Sequence, residues 1–172
     1  MFDVFTKHEE QRVGVFVDVQ NLYYSARNIY NARVNFSALL KEVVGKRKLI
    51  RAICYVIRAQ MPEEQTFFDA LSKAGFEVKA KDLQVFFGGI KKGDWDVGIT
   101  MDMIKQMNKL DSIVLASGDG DYLPLVEYLK NFGVRVELIA FGKSASSKLI
   151  EGVDDFIDID ATPKKFLLPI KK

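Results

Sequence analysis

The sequence predicts an α/β domain with a mostly parallel sheet covered by helices on both faces. Three observations carry that reading. Short apolar runs rich in β-branched residues (13–19, 49–57, 113–116 and 134–140) alternate with stretches of helical periodicity, which is the pattern of βαβ units. The runs are nearly unbroken, as expected of strands buried on both sides. No period of about 20 to 50 residues recurs, which sets repeat architectures aside.

Size and composition agree. With 172 residues, 48% hydrophobic and 28% charged, the chain is long enough for one domain with a full core. No apolar run approaches the roughly 20 residues that cross a bilayer. The opening residues 1–10 lack the charged start and long apolar core of a signal peptide. A single cysteine, Cys54, precludes an intrachain disulfide and sits in an apolar run, where it reads as a packed core residue. A cytoplasmic protein is expected. The net charge is only +2, and the four lysines of 161–172, with no acid among them, leave residues 1–160 at −2. A nucleic-acid partner would therefore be held by a local patch of cations.

The elements follow in order. Residues 1–11 read as a polar N-terminal arm, and 13–19 as the first strand. Residues 21–29 read as a helix, and 36–44 as a second helix closed by Gly45. The strand at 49–57 precedes a helix expected to start at Met61-Pro62-Glu63-Glu64, with proline and acids in its first turn. Residues 76–80 form a strand, and 83–87 a short strand at the sheet edge, broken by Gly88-Gly89. A helix is expected from Asp94, as N-cap, to about Leu110. The strand at 113–116 leads to a helix over 122–131 stopped by Gly133. A strand at 134–140, a short helix at 144–150 and a last strand at 156–159 complete the domain, which spans 12–160. The basic tail, 161–172, contains Pro163, Pro169 and Lys164, Lys165, Lys171 and Lys172. It reads as an extended appendage, either disordered or docked on this chain or on a second subunit, so a homodimer is one expected partner.

Several kinds of chemistry are excluded by absence. The single histidine, His8, lies in the polar arm and reads as a solvated residue. Ser-His-Asp triads, paired histidine acid–base catalysis and Cys/His zinc sites are therefore out. No phosphate-binding glycine loop of the P-loop or dinucleotide kind follows the first strand. What remains is carboxylate chemistry.

Three acidic stretches stand where strands end or helices begin, the place where open α/β sheets bind ligands. They are Asp18-Val-Gln-Asn21, Lys92-Gly-Asp94-Trp-Asp96, and Ser117-Gly-Asp119-Gly-Asp121-Tyr122. Carboxylate oxygens are the ligands preferred by Mg²⁺ and Mn²⁺. Asp18 follows a buried run, where an unpaired carboxylate is costly; its plainer role is to cap the helix after it. Asp119 and Asp121 also suit a cap, but two like charges that close repel unless a cation or donors lie between them. Gly118 and Gly120 allow a tight turn and a close approach. Asp96 suits the first turn of its helix for dipole reasons alone. Asp102, about 600° further round the helix, reads as a supporting or structural acid. Asp154, Asp155, Asp158 and Asp160 read as a solvated strand edge or as partners for lysines.

These three motifs, in this order and spacing, resemble the NYN domain, and more narrowly its LabA-like (DUF88) branch, a relative of the PIN-domain nucleases. The resemblance covers roughly residues 12–160. It implies a three-layer α/β/α sandwich with a mostly parallel, PIN-like (Rossmannoid) sheet. It also implies a divalent metal, Mg²⁺ or Mn²⁺, and ribonuclease activity. Carried over, Asp18, Asp96, Asp119 and Asp121 match the acidic metal-binding and catalytic positions. Asp18 and Asp119 are expected as direct ligands, with Asp96 and Asp121 either binding directly or holding metal-bound waters. Asn21 and Ser117 match polar positions that hold water or phosphate, and Lys92 lies beside them to hold substrate. Asp94 departs from the commoner pattern, so either Asp94 or Asp96 faces the metal.

The mechanism implied is metal-assisted hydrolysis of phosphodiester bonds in RNA, with single strands favoured. Lys91, Lys92, Lys143 and Lys148 lie near the acidic loops. Lys41, Lys46, Arg47, Lys48 and Arg51 read as an exposed helix end and strand start. Tyr23, Tyr24 and Trp95 either stack on unpaired bases or pack. An intact ligand set does not by itself give turnover, so a non-catalytic RNA- or nucleotide-binding regulator that keeps the metal pocket is the alternative. A phosphatase of the haloacid dehalogenase kind needs a second aspartate at position 20, which is Gln20. A subunit in which the acids serve only as caps would not respond to divalent ions.

Overall fold

The structure, a computed structural model, describes residues 7–170. Residues 1–6 of the expected arm and the tail lysines Lys171 and Lys172 lie outside the described residues. Chain order is β1 (Arg12–Asp18), α1 (Val19–Tyr30), β2 (Ala32–Val34), α2 (Phe36–Val44), β3 (Lys48–Arg58), α3 (Glu64–Lys73), β4 (Glu77–Asp82), β5 (Gln84–Val85), β6 (Lys91–Lys92), α4 (Asp96–Gln106), β7 (Ser112–Ala116), α5 (Leu123–Asn131), β8 (Arg135–Ala140), α6 (Ser147–Gly152), β9 (Asp155–Asp158), α7 (Pro163–Phe166) and β10 (Leu167–Pro169).

Six strands form one sheet in the order β4-β3-β1-β7-β8-β9, and every neighbouring pair is parallel. The alternation of strand side chains sends Val13, Val15 and Val17 to one face, where they pack with α1, α2 and α3 through residues such as Leu22, Leu39 and Leu71. It sends Phe16, Ile113 and Leu115 to the other, against Ile99 and Met103 of α4, Leu129 of α5 and Leu149 of α6. The result is the expected three-layer α/β/α sandwich. Cys54 is fully buried, as its apolar run predicts. No helix among the described residues is long and apolar enough to cross a membrane.

The order of the sheet fixes where a ligand site lies. From β1 the chain moves outward on one side to β3 and β4, then returns to build β7, β8 and β9 on the other. The strand order thus reverses between β1 and β7, and the carboxyl ends of these neighbours open a crevice. Asp18 closes β1, and Ser117 directly follows β7.

The structure corrects the sequence reading at five places. The segment at 83–87 is not an edge strand of the main sheet: β5 pairs antiparallel with β6 in a separate hairpin. Helix α3 begins at Glu64, behind Pro62, because Glu63 adopts a left-handed conformation with φ 69° and breaks the run. Helix α4 begins at Asp96 with Trp95 at its cap, so Asp94 is not the N-cap. Strand β2 was not expected; it pairs antiparallel with β10. The basic tail therefore docks on its own domain, with Phe166 buried and Lys165 paired to Glu42 at 2.6 Å.

The fifth correction concerns Arg47, which is buried rather than an exposed member of a basic run. Its two terminal nitrogens meet the Glu137 carboxylate at 2.6 and 3.1 Å. It also donates to the Val43 carbonyl at 2.5 Å and to Gln11 Oε1 at 3.2 Å. Glu137 further accepts from the Ser112 hydroxyl and pairs with Lys7 at 3.1 Å. This cluster ties α2 to β8 at the end of the sheet where β7 begins, opposite the crevice.

Candidate metal centre

At the mouth of the crevice, Asp96, Asp119 and Asp121 bring one carboxylate oxygen each to within 4.8 Å of one another. The first comes from the start of α4 and the other two from the turn after β7. Asp94 is exposed and lies outside this group. Of the two acids after Lys92-Gly93, Asp96 is therefore the one aimed at the other carboxylates.

Asp18 is buried beside them but outside this group of oxygens, so of the two expected direct ligands the group contains only Asp119. Its Oδ1 accepts the Asn21 backbone N–H at 3.3 Å, so it caps α1, and its Oδ2 accepts the Ser117 hydroxyl at 3.1 Å. Burial pushes the Asp18 carboxyl up to about 6; these two hydrogen bonds pull the other way, and the charges of Asp96 and Asp119 add to the rise. Burial also raises Asp96, against a hydrogen bond from Tyr122 and with the charges of Asp119, Asp94 and Asp121. Each of these two acids is thus harder to ionise than an ordinary carboxyl, because water is thin and like charges are near.

Four hydrogen bonds hold the loop. Ser117, fully buried, donates to Asp18 and accepts the Asp119 N–H at 3.2 Å. Asn21 Oδ1 accepts the Gly118 N–H at 2.8 Å, and Asp119 Oδ1 accepts the Asp121 N–H at 2.9 Å. The two motifs that close β1 and β7 thereby hold each other. Gly118 and Gly120 serve close approach rather than an unusual backbone angle. A Cβ on Gly118 would lie 3.0 Å from the Ala145 Cα, and one on Gly120 would lie 2.9 Å from Ser146. The loop is pressed onto the segment that opens α6, where the Ser146 N–H reaches the Gly118 carbonyl at 3.0 Å.

Tyr122 is the functional neighbour that sequence reasoning missed. Its ring is buried in the core under α5, and its hydroxyl donates to Asp96 at 3.1 Å. Burial, followed by the charges of Asp18 and Asp96, raises the Tyr122 hydroxyl above its ordinary value, so it stays a proton donor. The available signal was a phenol, in place of a plain apolar ring, directly after the Asp-Gly-Asp turn.

The remaining residues fall outside the cluster. Asp102 accepts from Tyr55 at 2.8 Å and from Lys79 at 2.7 Å. Trp95 donates its indole N–H to the Val56 carbonyl at 2.8 Å and packs edge-on to Tyr55, so it serves packing. Tyr23 and Tyr24 are exposed on α1. Lys92 is exposed in β6. The late acids act mainly on backbone: Asp158 accepts the Gly142 N–H at 2.9 Å, and Asp160 the Lys143 N–H at 2.7 Å.

The donor set fits a hard divalent cation. It offers oxygen only, with several carboxylates crowded at a half-buried mouth and no lysine or arginine paired to Asp96, Asp119 or Asp121 among the described residues. Mg²⁺ and Mn²⁺ prefer such ligands.

A model of the NYN domain family matches residues 12–160. The Low amplitude and bright protein LabA of Synechococcus elongatus is 25% identical over 160 residues, covering 87% of this chain and 84% of that protein. The crystal structure of a protein of unknown function from Vibrio parahaemolyticus superposes with a TM-score of 0.86 at 32% identity, covering 95% of this chain and 99% of that one.

Proposed function

This chain belongs to the NYN domain family, and from that premise we propose that it is a divalent-metal-dependent ribonuclease that hydrolyses phosphodiester bonds, single-stranded RNA being favoured. The observation that carries the reading is the convergence of Asp96, Asp119 and Asp121 within 4.8 Å at the strand-order reversal. Asp96, Asp119 and Asp121 would hold Mg²⁺ or Mn²⁺, with the buried Asp18 carboxylate beside them. A bound ion of this kind lowers the pKa of a water and stabilises charge on the scissile phosphate and the leaving oxygen.

The chain's own groups do the rest. Ser117 and the Asn21 N–H orient Asp18, and Tyr122 fixes one oxygen of Asp96. The Asn21 carboxamide oxygen is used on Gly118, which leaves its NH₂ to donate to a phosphate. Lys92, exposed four residues before Asp96, adds a cation for the strand. His8 is exposed in the N-terminal segment, so proton transfer near the acids falls to carboxylates and water.

The test is cleavage of end-labelled single-stranded RNA with Mn²⁺, with EDTA, and with Asp119→Asn from a preparation shown to be folded. Cleavage that requires metal and vanishes in the variant is expected. Equal cleavage by the variant would trace the activity to a contaminant. RNA binding without cleavage across several RNAs would leave a regulator that keeps the pocket.

A further inference from the structure

Strands β5 and β6 form a hairpin between β4 and α4, on the approach to Asp96, and its apolar side chains point into water. Val85 is 65% exposed, Phe86 49% and Ile90 67%, and Phe87 is wholly exposed. The turn is well formed: the Phe86 N–H reaches the Ile90 carbonyl at 2.7 Å, and Gly88 and Gly89 both take positive φ, at 89° and 81°. The base is anchored. The Leu83 N–H donates to the Arg58 carbonyl at 2.9 Å, and a Cβ on Gly93 would lie 2.9 Å from Leu83 and 3.0 Å from Ile57. A fixed arm that holds two phenylalanines in solvent is costly unless something covers them.

Charge selects what covers them. Lys81, Lys91 and Lys92 make no ion pair among the described residues, and Lys81 lies over the Trp95 ring at 4.8 Å. Of the two acids beside them, Asp82 is already paired with Arg58 at 2.9 Å, which leaves three lysines against Asp94. Lys81, Gln84 and Lys92 of the hairpin base share a shallow cavity of about 200 Å³ with Asp94 and Val97, the neighbours of Asp96. The four residues from Lys92 to Asp96 span at most about 14 Å. Aromatic rings beside unpaired cations are the pairing that single-stranded nucleic acid uses: bases stack on the rings and phosphates meet the lysines. The acid cluster by itself repels phosphate, so such a ligand needs cations close by.

We propose that the β5–β6 hairpin is the arm that grips single-stranded RNA beside the acid cluster, with Phe86 and Phe87 stacking on bases and Lys81, Lys91 and Lys92 holding phosphates. The inference rests on the reading of this protein as one that acts on RNA. Its test is separate from cleavage: fluorescence anisotropy of a labelled single-stranded RNA with the full chain in EDTA, for the parent, Phe86→Ala with Phe87→Ala, and Lys91→Gln with Lys92→Gln.

Both phenylalanines are on the outside of a hairpin tip, so the core stays intact. Removing the ring under even one stacked base weakens binding by about tenfold, so the double alanine variant raises Kd by about tenfold or more. The effect disappears on an abasic strand of the same length. The lysine variant lowers the slope of log affinity against log salt by about 0.7 for each phosphate that is no longer neutralised.

Unchanged Kd in the alanine variant overturns the proposal, as does the absence of measurable RNA affinity in the parent. A parent that is dimeric by sedimentation, with a variant that turns monomeric at unchanged RNA affinity, would assign the hairpin to copy–copy contact instead. If the alanine variant binds RNA weakly while no form cleaves, the arm stands and the nuclease reading falls. If metal-dependent cleavage persists with Kd unmoved, the reverse holds.

Discussion

Glu137→Gln tests whether the closed end of the sheet is held by charge. Glu137 is 2% exposed and accepts from Arg47 twice and from Ser112, with Lys7 at 3.1 Å. The amide keeps the shape and one acceptor oxygen, but it strips Arg47 of its counter-charge in a site with almost no water. Removing one partner of a buried pair costs about 3–5 kcal/mol. With the Val43 carbonyl and Gln11 Oε1 still accepting from Arg47, the lower end, about 3 kcal/mol, is expected, or roughly 6–12 °C in Tm for a chain of this length. Differential scanning calorimetry at pH 7 reads it. Arg47→Met combined with Glu137→Leu removes both charges and is expected to recover most of the loss, since an apolar replacement of a whole pair is often neutral. Acid adds a second reading. Burial alone would raise the Glu137 carboxyl, but the hydrogen bonds from Arg47 and Ser112 and the charges of Arg47 and Lys7 outweigh it, and the group sits below its ordinary 4.5. Its contribution is therefore full above about pH 4.5 and lost as pH falls through the depressed folded value. The gap between parent and Glu137→Gln should close on acidification. A gap under about 1 kcal/mol at pH 7, or one unchanged at pH 3, would refute the assignment of this end to a buried ion pair.

Two further perturbations concern the crevice. Asp18→Asn is expected to melt higher than the parent in EDTA at pH 7.5, by about 2 kcal/mol or roughly 4–8 °C, because it removes a charge held in a dry site. Mn²⁺ should then raise the Tm of the parent by more than that of the variant, which keeps Asp96, Asp119 and Asp121; a lower Tm for Asp18→Asn in EDTA would mean that the Asn21 and Ser117 hydrogen bonds outweigh burial. Tyr122→Phe keeps the buried ring and removes only the hydroxyl that holds Asp96, so Mn²⁺ affinity by calorimetry is expected to fall about 10- to 100-fold with Tm in EDTA nearly unchanged. Full Mn²⁺ affinity in Tyr122→Phe, alongside loss in Asp119→Asn, would remove Tyr122 from the site.

What the sequence disclosed divides by range. Strands β1, β3, β7 and β8 are continuous apolar runs whose signal is local, and the acids that follow β1 and β7 were legible because each run stops abruptly at them. The pairing of β2 with β10 was not legible. Each is three residues long, and their partners stand on opposite sides of nearly the whole chain. Arg47 sits between Lys46 and Lys48, a context that reads as solvated, while its partner Glu137 is 90 residues away. Asp94 and Asp96 could not be ranked because both fit a helix start. In the structure Trp95, anchored to Val56, takes the cap position and the helix begins at Asp96.

The two ends of the sheet handle buried acids in opposite ways, and the contrast bears on function. At the closed end, Glu137 is matched by Arg47 and Lys7, and its carboxyl is pulled down. At the crevice, Asp18 and Asp96 are met by neutral donors, and burial together with the charges of neighbouring aspartates pushes both up. The same fold that supplied a buried arginine ninety residues from Glu137 supplies none to these acids among the described residues. Neutral donors such as Ser117, Asn21 and Tyr122 fix the carboxylates in place without neutralising them. Fixed acids whose charge is left over are unfavourable for folding alone, and a cation is the ligand that turns that cost into binding free energy.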